Sequence, residues 1–543
     1  MSERGSLRRL RDRAGSERDD SLPPVVTALS VAVALAVLSP LAWLFLRAGE
    51  VPPARTWSLL VSDTTLEVLA NTAALVAAVT TASVLLGVPL AVLTVQTDLP
   101  FRRFWTVTAA LPLVIPSYIG AFAFVSAFGP RGALADALAP FGVQQLPPIY
   151  GFLGAAMVLT LYTYPYVFLT TRASLQSFDG RLVEAARTLN HSRWQAFKRV
   201  TLPQIRPGVT AGALLVALYA LSDFGTPQIM HFDVFTRMIY VEFGAFQQGY
   251  AALLSIALLA VTVAILGLES RFSGEEGNAY VSRGTRAPER IRLGAWKWPA
   301  LAFVGGVAAL CLVVPIAILL MWLVRDNPAY AGGGFTFEWV YAFNSVNVSL
   351  TAAVVAVVAS IPVAYLSVRS DHRLARLVDR ATYVGYAVPG IVLGLALIYF
   401  GLLYAPFLYR TIPLLVFAYV VRFLPQSVGT VRTSLLQVDP KLMEAARTLG
   451  ESPLRSFRRV VLPLVLPGVL AGGALVFLTT MKELPATLML RPSGFETFVT
   501  FIWLVQGAGY YGEAAVPALV LVLISGLTML VTLGRDRYAA DSQ

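Results

Sequence analysis

The sequence is short of charged residues, cysteine and histidine. Only 13% of its 543 residues are charged, whereas an ordinary soluble domain has about 25%. This shortage excludes a soluble globular enzyme and a disordered chain. The single cysteine, Cys311, excludes a disulfide framework and a cysteine-based zinc or iron–sulfur site. The histidines, His191, His231 and His372, lie far apart and share no ligand spacing, so the sequence assigns no metal site.

Apolar length is what the sequence has instead. Hydrophobic residues make up 57% of the chain, and the mean hydropathy is +0.68. Because a membrane-spanning helix needs roughly 20 apolar residues, the sequence predicts an all-α membrane protein with about twelve spans in the lipid bilayer. The predicted spans are 25–47, 67–95, 105–128, 150–171, 207–226, 249–268, 298–323, 346–367, 381–404, 411–431, 465–486 and 514–534.

The net charge of +11 could indicate a nucleic-acid partner, but its distribution argues against one. Of the 42 lysine and arginine residues, 33 lie in the predicted tails and in every second loop. These segments are 1–24, 96–104, 172–206, 270–297, 368–380, 432–459 and 535–543. This asymmetry follows the positive-inside rule. It predicts a multi-pass protein of the cell membrane with both termini in the cytoplasm.

An internal duplication divides the chain. Residues 184–208 read EAARTLNHSRWQAFKRVTLPQIRPG, and residues 444–468 read EAARTLGESPLRSFRRVVLPLVLPG, at an offset of 260. Earlier in each half the offset is 273, which aligns Pro116 with Pro389 and places an insertion in the loop around 129–148. Two parallel six-span repeats are therefore predicted. The predicted divisions are a tail over 1–24, a first half over 25–269, a linker over 270–296, a second half over 297–535 and a tail over 536–543.

Each repeated segment predicts a helix–turn–helix in the loops 172–206 and 432–463. Asp179 and Asp439 are good N-caps, and Pro440 suits a first helical position. Gly450, and Asn190 in the first copy, suit a left-handed turn that ends the first helix. Ser192-x-x-Gln195 forms a capping box. Pro463 and Pro467 are expected to break the second helix before the next span begins.

The repeated pattern resembles the EAA motif of ABC importer permeases. Six residues carry the resemblance in each copy. They are Glu184, Ala185, Ala186, Asn190, Leu202 and Pro203 in the first copy and Glu444, Ala445, Ala446, Gly450, Leu462 and Pro463 in the second. The resemblance implies a fused permease of the MetI-like fold, whose two EAA helices dock two copies of an ATPase subunit. It also implies an extracytoplasmic substrate-binding protein as a partner.

ATP chemistry is not expected in this chain. None of its four lysines follows a glycine, so the phosphate-binding G-x-x-x-x-G-K-[ST] loop is missing. We therefore expect no catalytic residue and no cofactor here, with ATP and Mg bound by the partner ATPase.

Four ionisable residues are candidates for the substrate pathway. Asp223 aligns with Glu483 at the ends of two spans, Lys482 lies beside Glu483, and Arg422 lies in the middle of a span. Charged residues inside a membrane are costly and usually face the protein interior or water. Asp223 or Glu483 could pair with Arg422, and the sequence does not decide which. Such pairs could also act only structurally, by holding helices together.

Three phrases resemble the iron(III) branch of the fused permeases. They are LPLVIPSYIGAFAFVSAFGPRG, SDFGTPQIM and KELPATLMLRP. Carboxylates suit hard Fe(III), which prefers oxygen ligands. A fused permease for thiamine or a phosphonate remains an alternative. A secondary transporter also has two six-span halves, and an intramembrane enzyme would need a catalytic set that the scattered charges do not supply.

Overall fold

A computed structural model describes most of the chain and shows it as almost entirely helical. The described residues are 24–129, 132, 134, 139–142, 149–177, 179, 181–190, 192–273, 290–324, 335–370 and 372–541. Within these ranges, side chains are not described for residues 139, 193, 268–273, 440, 447, 453–454 and 528–541. The predicted N-terminal tail, most of the loop around 129–148 and most of the linker over 270–296 lie outside the described residues.

Nine helices in the described ranges are long and apolar enough to cross a membrane. Each coincides with one of the predicted spans. These helices are Pro24–Gly49, Asp63–Gln96, Phe152–Ser177, Trp194–Ser222, Gln248–Gly267, Gly294–Val324, Trp339–Arg369, Ile412–Leu436 and Phe457–Met481. The predicted twelfth span lies on the helix Tyr511–Asp541, whose apolar part is described from Tyr511 to Leu527.

Shorter helices connect the long ones or make up the remaining spans. They are Pro53–Leu60, Arg102–Ala110, Ser117–Phe128, Arg181–Thr188, Gly225–Ile229, Phe235–Gly244, Arg373–Ala387, Gly390–Leu403, Pro440–Thr448, Pro485–Leu490 and Phe498–Gly507.

Two predicted spans are broken, and the prediction of continuous helices over 105–128 and 381–404 is wrong. The helices before and after Pro116 meet at 89°, and those before and after Pro389 meet at 102°. A proline pushes the preceding residue out of the helical region. Ile115 (φ −84°, ψ 120°) and Val388 (φ −79°, ψ 121°) are accordingly extended. Counting each bent pair as one span gives up to eleven spans among the described residues.

The described residues pack as two compact units. One lies within 1–47 and 338–500, and the other lies within 48–337 and 501–543. In the first unit, Trp43 packs against Phe400 and Tyr404, with ring centroids 5.2 and 4.4 Å apart. In the second unit, Trp322 and Tyr511 lie in one apolar cluster with the helix Ser117–Phe128. The predicted division into two halves joined by the linker 270–296 follows the sequence duplication, and it stays a prediction.

Glycines let the helices of each repeat approach closely. A Cβ atom at Gly208 would overlap Ser174 Oγ, and one at Gly468 would overlap Ser434 Oγ. Gly468 would also place its Cβ atom 3.0 Å from the carbonyl oxygen of Thr430. These glycines end the two repeated segments, so each duplicated Pro-Gly pair marks a close helix crossing within a continuous helix.

A short backbone bridge joins the loop that follows the helix Asp63–Gln96 to the end of the predicted linker. Ile291 N–H donates to Gln96 O at 2.8 Å, and Asp98 N–H donates to Ile291 O at 3.1 Å. The Asp98 carboxylate accepts from Leu293 N–H at 2.8 Å and lies 3.1 Å from Lys297 Nζ. The Leu293 N–H, followed by Lys297, holds the pKa of Asp98 below its usual value.

Candidate functional site

The first EAA element folds as its sequence predicts. Asp179 Oδ1 accepts from Arg181 N–H at 3.0 Å and caps the helix Arg181–Thr188. Asn190 adopts φ 63°, the left-handed turn expected of it. The capping box is also present, because Ser192 N–H donates to Gln195 Oε1 at 3.0 Å and Gln195 N–H donates to Ser192 Oγ at 3.2 Å.

The second EAA element repeats this geometry. Asp439 Oδ1 accepts from Lys441 N–H at 3.0 Å, and the helix Pro440–Thr448 begins with the predicted proline. Gly450 adopts φ 88°. Glu451 N–H then donates to Ala446 O at 3.2 Å, which is the bond expected of a Schellman turn.

Both elements expose a matched mixed surface. Glu184 and Glu444 are exposed. Leu189 is 74% exposed and its counterpart Leu449 is 86% exposed. Exposed leucines at equivalent places in two copies mark a surface suited to a partner.

The other residues of the two EAA motifs differ in how exposed they are. Ala185, Ala445, Asn190, Gly450, Pro203 and Pro463 are exposed, Leu202, Leu462 and Ala446 are half-buried, and Ala186 is buried.

The prediction that Pro463 and Pro467 break the second helix before the next span is wrong, because the helix continues through both prolines. The helices Trp194–Ser222 and Phe457–Met481 run on into their spans. A π-helical turn over Phe457–Val461 comes directly before the α-helix Leu462–Met481, whose first turn contains Pro463. The wider turn absorbs the ring and the missing N–H of proline.

Arg422 and Glu483 form a buried ion pair in the second half. Arg422 Nη1 donates to Glu483 Oε1 at 2.7 Å, and the Glu483 side chain is only 2% exposed. The same carboxylate accepts from Ala486 N–H at 3.1 Å and Thr487 N–H at 3.0 Å. The structure thus shows which carboxylate pairs with Arg422, a choice that the sequence left open.

Gly390 completes this pair. It is the first residue of the helix that follows the Pro389 break. A Cβ atom at Gly390 would overlap the Arg422 guanidinium and lie 2.5 Å from Glu483 Oε1. The ion pair therefore fixes the end of the helix Leu462–Met481 against the start of the restarted helix Gly390–Leu403. Lys482 caps the helix Leu462–Met481 beside it and is half-buried.

Asp223 occupies the equivalent place in the first half with different partners. Its Oδ1 accepts from Thr226 N–H at 2.8 Å, and its Oδ2 accepts from the Ser117 hydroxyl. Tyr219 OH donates to Ser117 Oγ at 3.2 Å. Ser117 begins the helix that follows the Pro116 break, and Asp223 is half-buried.

Ser117 and Gly390 are the important residues that the sequence reasoning passed over. The available signal was the alignment of Pro116 with Pro389, since each of these residues directly follows its proline. Reading those prolines as helix breaks would have placed a helix N-terminus, with its free N–H groups, opposite each carboxylate.

Comparison with known proteins finds one family twice in the chain. Residues 83–273 and 356–538 match the family described as binding-protein-dependent transport system inner membrane component. The two matches cover most of the chain.

Three relatives illustrate the range of similarity. The Fe(3+)-transport system permease protein FbpB 2 of Haemophilus influenzae is 32% identical over 94% of this chain and 98% of its own length. The ferric transport system permease protein FbpB of Actinobacillus pleuropneumoniae is 25% identical over 76% of this chain and 63% of its own. The sulfate transport system permease protein CysT of Escherichia coli is 26% identical over 44% of this chain and 89% of its own.

These matches confirm the prediction of a fused importer permease that is a transport component and not an enzyme. The helical architecture agrees with that fold. The chain belongs to the family of binding-protein-dependent transport system inner membrane components, as a multi-pass permease with two family domains in one polypeptide.

Proposed function

We propose that this chain is the permease subunit of an ATP-driven importer of iron(III). One observation supports this most strongly: a relative named for Fe(3+) transport aligns with 94% of the chain and 98% of its own length. The sulfate relative, by contrast, aligns with 44% of the chain. A cargo shared with a full-length fused relative is the simpler inference than one shared with a permease of half the size.

The two EAA elements are the proposed docking sites for two copies of an ATPase subunit, which bind ATP and Mg. Their matched capping bonds and matched exposed leucines support this proposal. A lipid-surface loop would need an apolar face but would not need the same acidic residue and turn twice. In this proposal, Glu184 and Glu444 contact the ATPase subunits.

The binding protein docks on the side opposite the EAA elements in this proposal, and both termini are cytoplasmic. The supporting observation is the charge asymmetry, with 33 of 42 basic residues in the segments assigned to the cytoplasm.

The four ionisable residues take different roles in the proposal. Arg422 and Glu483 are assigned a structural role, because a side chain that is 2% exposed and held by four donors is poorly placed to meet a cargo. Asp223 keeps the pathway role, since it is half-buried and its second oxygen accepts from a hydroxyl. Lys482 borders the Glu483 site.

The test is transport into vesicles that carry this chain, its ATPase and its binding protein. We expect uptake of radioactive iron that requires ATP and is not inhibited by excess thiamine, phosphonate or sulfate. Competition by one of those solutes would overturn the iron assignment. Uptake that persists without the ATPase would instead indicate a secondary transporter.

Stoichiometry gives an independent check of the fused arrangement. Native mass spectrometry should find one permease chain with two ATPase subunits. A permease dimer with four ATPase copies would contradict the proposal that one chain supplies both docking sites.

A further inference from the structure

A surface rich in arginine and aromatic residues lies where the loop after the helix Asp63–Gln96 meets the end of the predicted linker. Residues 101–105 read FRRFW, and residues 290–298 read RIRLGAWKW. The backbone bridge at Ile291 joins the two segments, and both belong to the same compact unit. We call residues 101–105 and 290–298 together the basic–aromatic surface.

Like charges lie close together on this surface. The positive charges of Arg290 and Arg103 both act on the Arg102 guanidinium. Arg103 and Arg290 are exposed, and Arg102 is half-buried. Repulsion of this kind is relieved by an anion that contacts several guanidinium groups at once, and a phosphate group matches their geometry well.

The carboxylate beside these arginines is already engaged. Asp98 Oδ1 accepts from Leu293 N–H at 2.8 Å, and Asp98 Oδ2 lies 3.1 Å from Lys297 Nζ. In the part of the chain that the structure describes, no ion pair joins Arg102, Arg103 or Arg290 to a carboxylate. Their positive charge therefore remains for an external anion.

Exposed aromatic rings accompany the arginines. Trp296 is 73% exposed and Trp298 is 77% exposed, and both Phe101 and Phe104 are exposed as well. Tryptophan is enriched where the hydrocarbon of a membrane meets the polar headgroups. A phospholipid suits both kinds of side chain, because its phosphate contacts guanidinium groups while its acyl chains contact the rings. A soluble phosphate would use only the arginines.

The second half does not repeat this pattern. The offset of 273 aligns FRRF at 101–104 with LARL at 374–377. Arg376 takes the place of Arg103, whereas an alanine takes the place of Arg102 and leucines take the places of the two phenylalanines. A basic residue in such a loop is expected from membrane topology alone. The adjacent arginines and exposed rings of the first half go beyond that need.

We propose that the basic–aromatic surface binds an anionic phospholipid, with Arg102 and Arg290 on its phosphate. Trp296 and Trp298 then lie beside its acyl chains. A phosphate shared by the two arginines joins the same two segments that Asp98 joins, so the lipid strengthens the contact between the loop and the end of the linker. This inference does not depend on which cargo the protein transports.

The experiment measures lipid retention by the purified full-length chain with native mass spectrometry. Phosphatidylglycerol is the anionic probe, and phosphatidylcholine is its zwitterionic counterpart. We expect phosphatidylglycerol to bind at least tenfold more tightly. The double variant Arg102→Gln, Arg290→Gln should weaken its binding at least tenfold, because each basic residue contributes about fivefold at an anionic surface. The double variant Arg102→Lys, Arg290→Lys keeps both charges and should bind more tightly than the glutamine variant.

Matched controls remove the same groups elsewhere. The double variant Arg373→Gln, Arg376→Gln removes two exposed arginines from the aligned loop of the second half, and it should bind phosphatidylglycerol like the unaltered chain. Trp298→Ala should weaken binding several-fold. Its control is Trp57→Ala, which removes a tryptophan that is 70% exposed on the helix Pro53–Leu60 and should leave binding unchanged. Variants are compared at equal melting temperature.

A second measurement needs no charge-altering variant. Phosphatidylglycerol with brominated acyl chains should quench the tryptophan fluorescence of the unaltered chain more strongly than brominated phosphatidylcholine does. The double variant Trp296→Phe, Trp298→Phe should lose this difference. If the difference persists in that variant, the lipid binds elsewhere and the inference is wrong.

Other results would also overturn the inference. Equal retention of the two lipids would show that the surface does not select an anionic headgroup, and equal weakening by the control variants would show that only net charge matters. If added ATPase displaces the lipid and the double variant Arg102→Gln, Arg290→Gln no longer binds ATPase, the surface docks a protein instead of a lipid.

Discussion

Glu483→Gln tests whether the second acidic site holds the membrane domain together. The substitution keeps the size of the side chain and one acceptor for the N–H groups of Ala486 and Thr487. It removes the negative charge that lies 2.7 Å from Arg422 Nη1. The Arg422 side chain is 17% exposed, so its guanidinium would be left with little water to replace the lost partner.

The size of the effect follows from this burial. Removing one partner of a buried ion pair costs about 3–5 kcal/mol, because it leaves a buried charge without compensation. For a domain of roughly 150–250 residues, each kcal/mol shifts the melting temperature by about 2–4 °C. We therefore expect Glu483→Gln to lower the melting temperature of the purified complex by about 6–12 °C at the lower bound of that cost.

A double variant separates charge from packing. Adding Arg422→Met to Glu483→Gln removes both charges, and the glutamine oxygen still accepts from one of the two N–H groups, so much of the lost stability should return. The matched control is Asp379→Asn, whose partner Arg432 lies at 3.0 Å but is 41% exposed. That pair should contribute no more than about 1 kcal/mol.

The assay is the melting temperature of the complex. Unfolding is monitored by intrinsic tryptophan fluorescence and by the loss of bound ATPase. If the Glu483→Gln complex melts at the same temperature as the unaltered complex, the ion pair does not stabilise the fold. The same conclusion follows if Glu483→Gln and Asp379→Asn shift the melting temperature equally. If the double variant is no more stable than Glu483→Gln, the cost does not come from the stranded charge.

Three further predictions concern other parts of the chain. Gly468→Ala should destabilise the complex by about 1–3 kcal/mol through overpacking, whereas Gly429→Ala, whose added Cβ atom would meet its nearest neighbour at 3.8 Å, should leave the melting temperature unchanged or slightly raised. The double variant Glu184→Lys, Glu444→Lys should lose ATPase from the purified complex or hydrolyse ATP without transport, and full transport would contradict the docking role. The lowered pKa of Asp98 predicts that its contact with Leu293 N–H is complete above the pKa of Asp98 in the unfolded chain and weakens as the pH falls through the lower pKa of the folded protein. Hydrogen exchange of the Leu293 amide should therefore speed up over that pH range. An exchange rate that does not depend on pH, after correction for intrinsic exchange, would refute this.

Local chemistry explains why the EAA elements could be predicted in detail. Caps and turns depend on one or two residues and their nearest neighbours, so Asp179, Asn190 and the Ser192–Gln195 box formed as expected. The same holds for Gly450, whose positive φ follows from its lack of a side chain.

Long-range packing explains what the sequence did not predict. Pro116 and Pro389 lie inside long apolar stretches. Hydropathy gives no signal for the bend at either proline, because the helices that begin after them are as apolar as a continuous span. The partner of Arg422 lies 61 positions away in sequence, and two carboxylates were chemically equivalent candidates. The π-helical turn before Pro463 depends on how a span continues from its docking helix, which a proline pattern alone does not show.

The two halves match closely at the EAA elements and differ at the acidic sites. The caps, turns and exposed leucines of the two EAA elements match, as expected if both dock copies of the same ATPase, as we propose. In the second half, Gly390 leaves room for the Arg422 guanidinium, which pairs with Glu483. The broken spans at Pro116 and Pro389 remain alike in both halves, since each presents the first turn of a helix to a carboxylate.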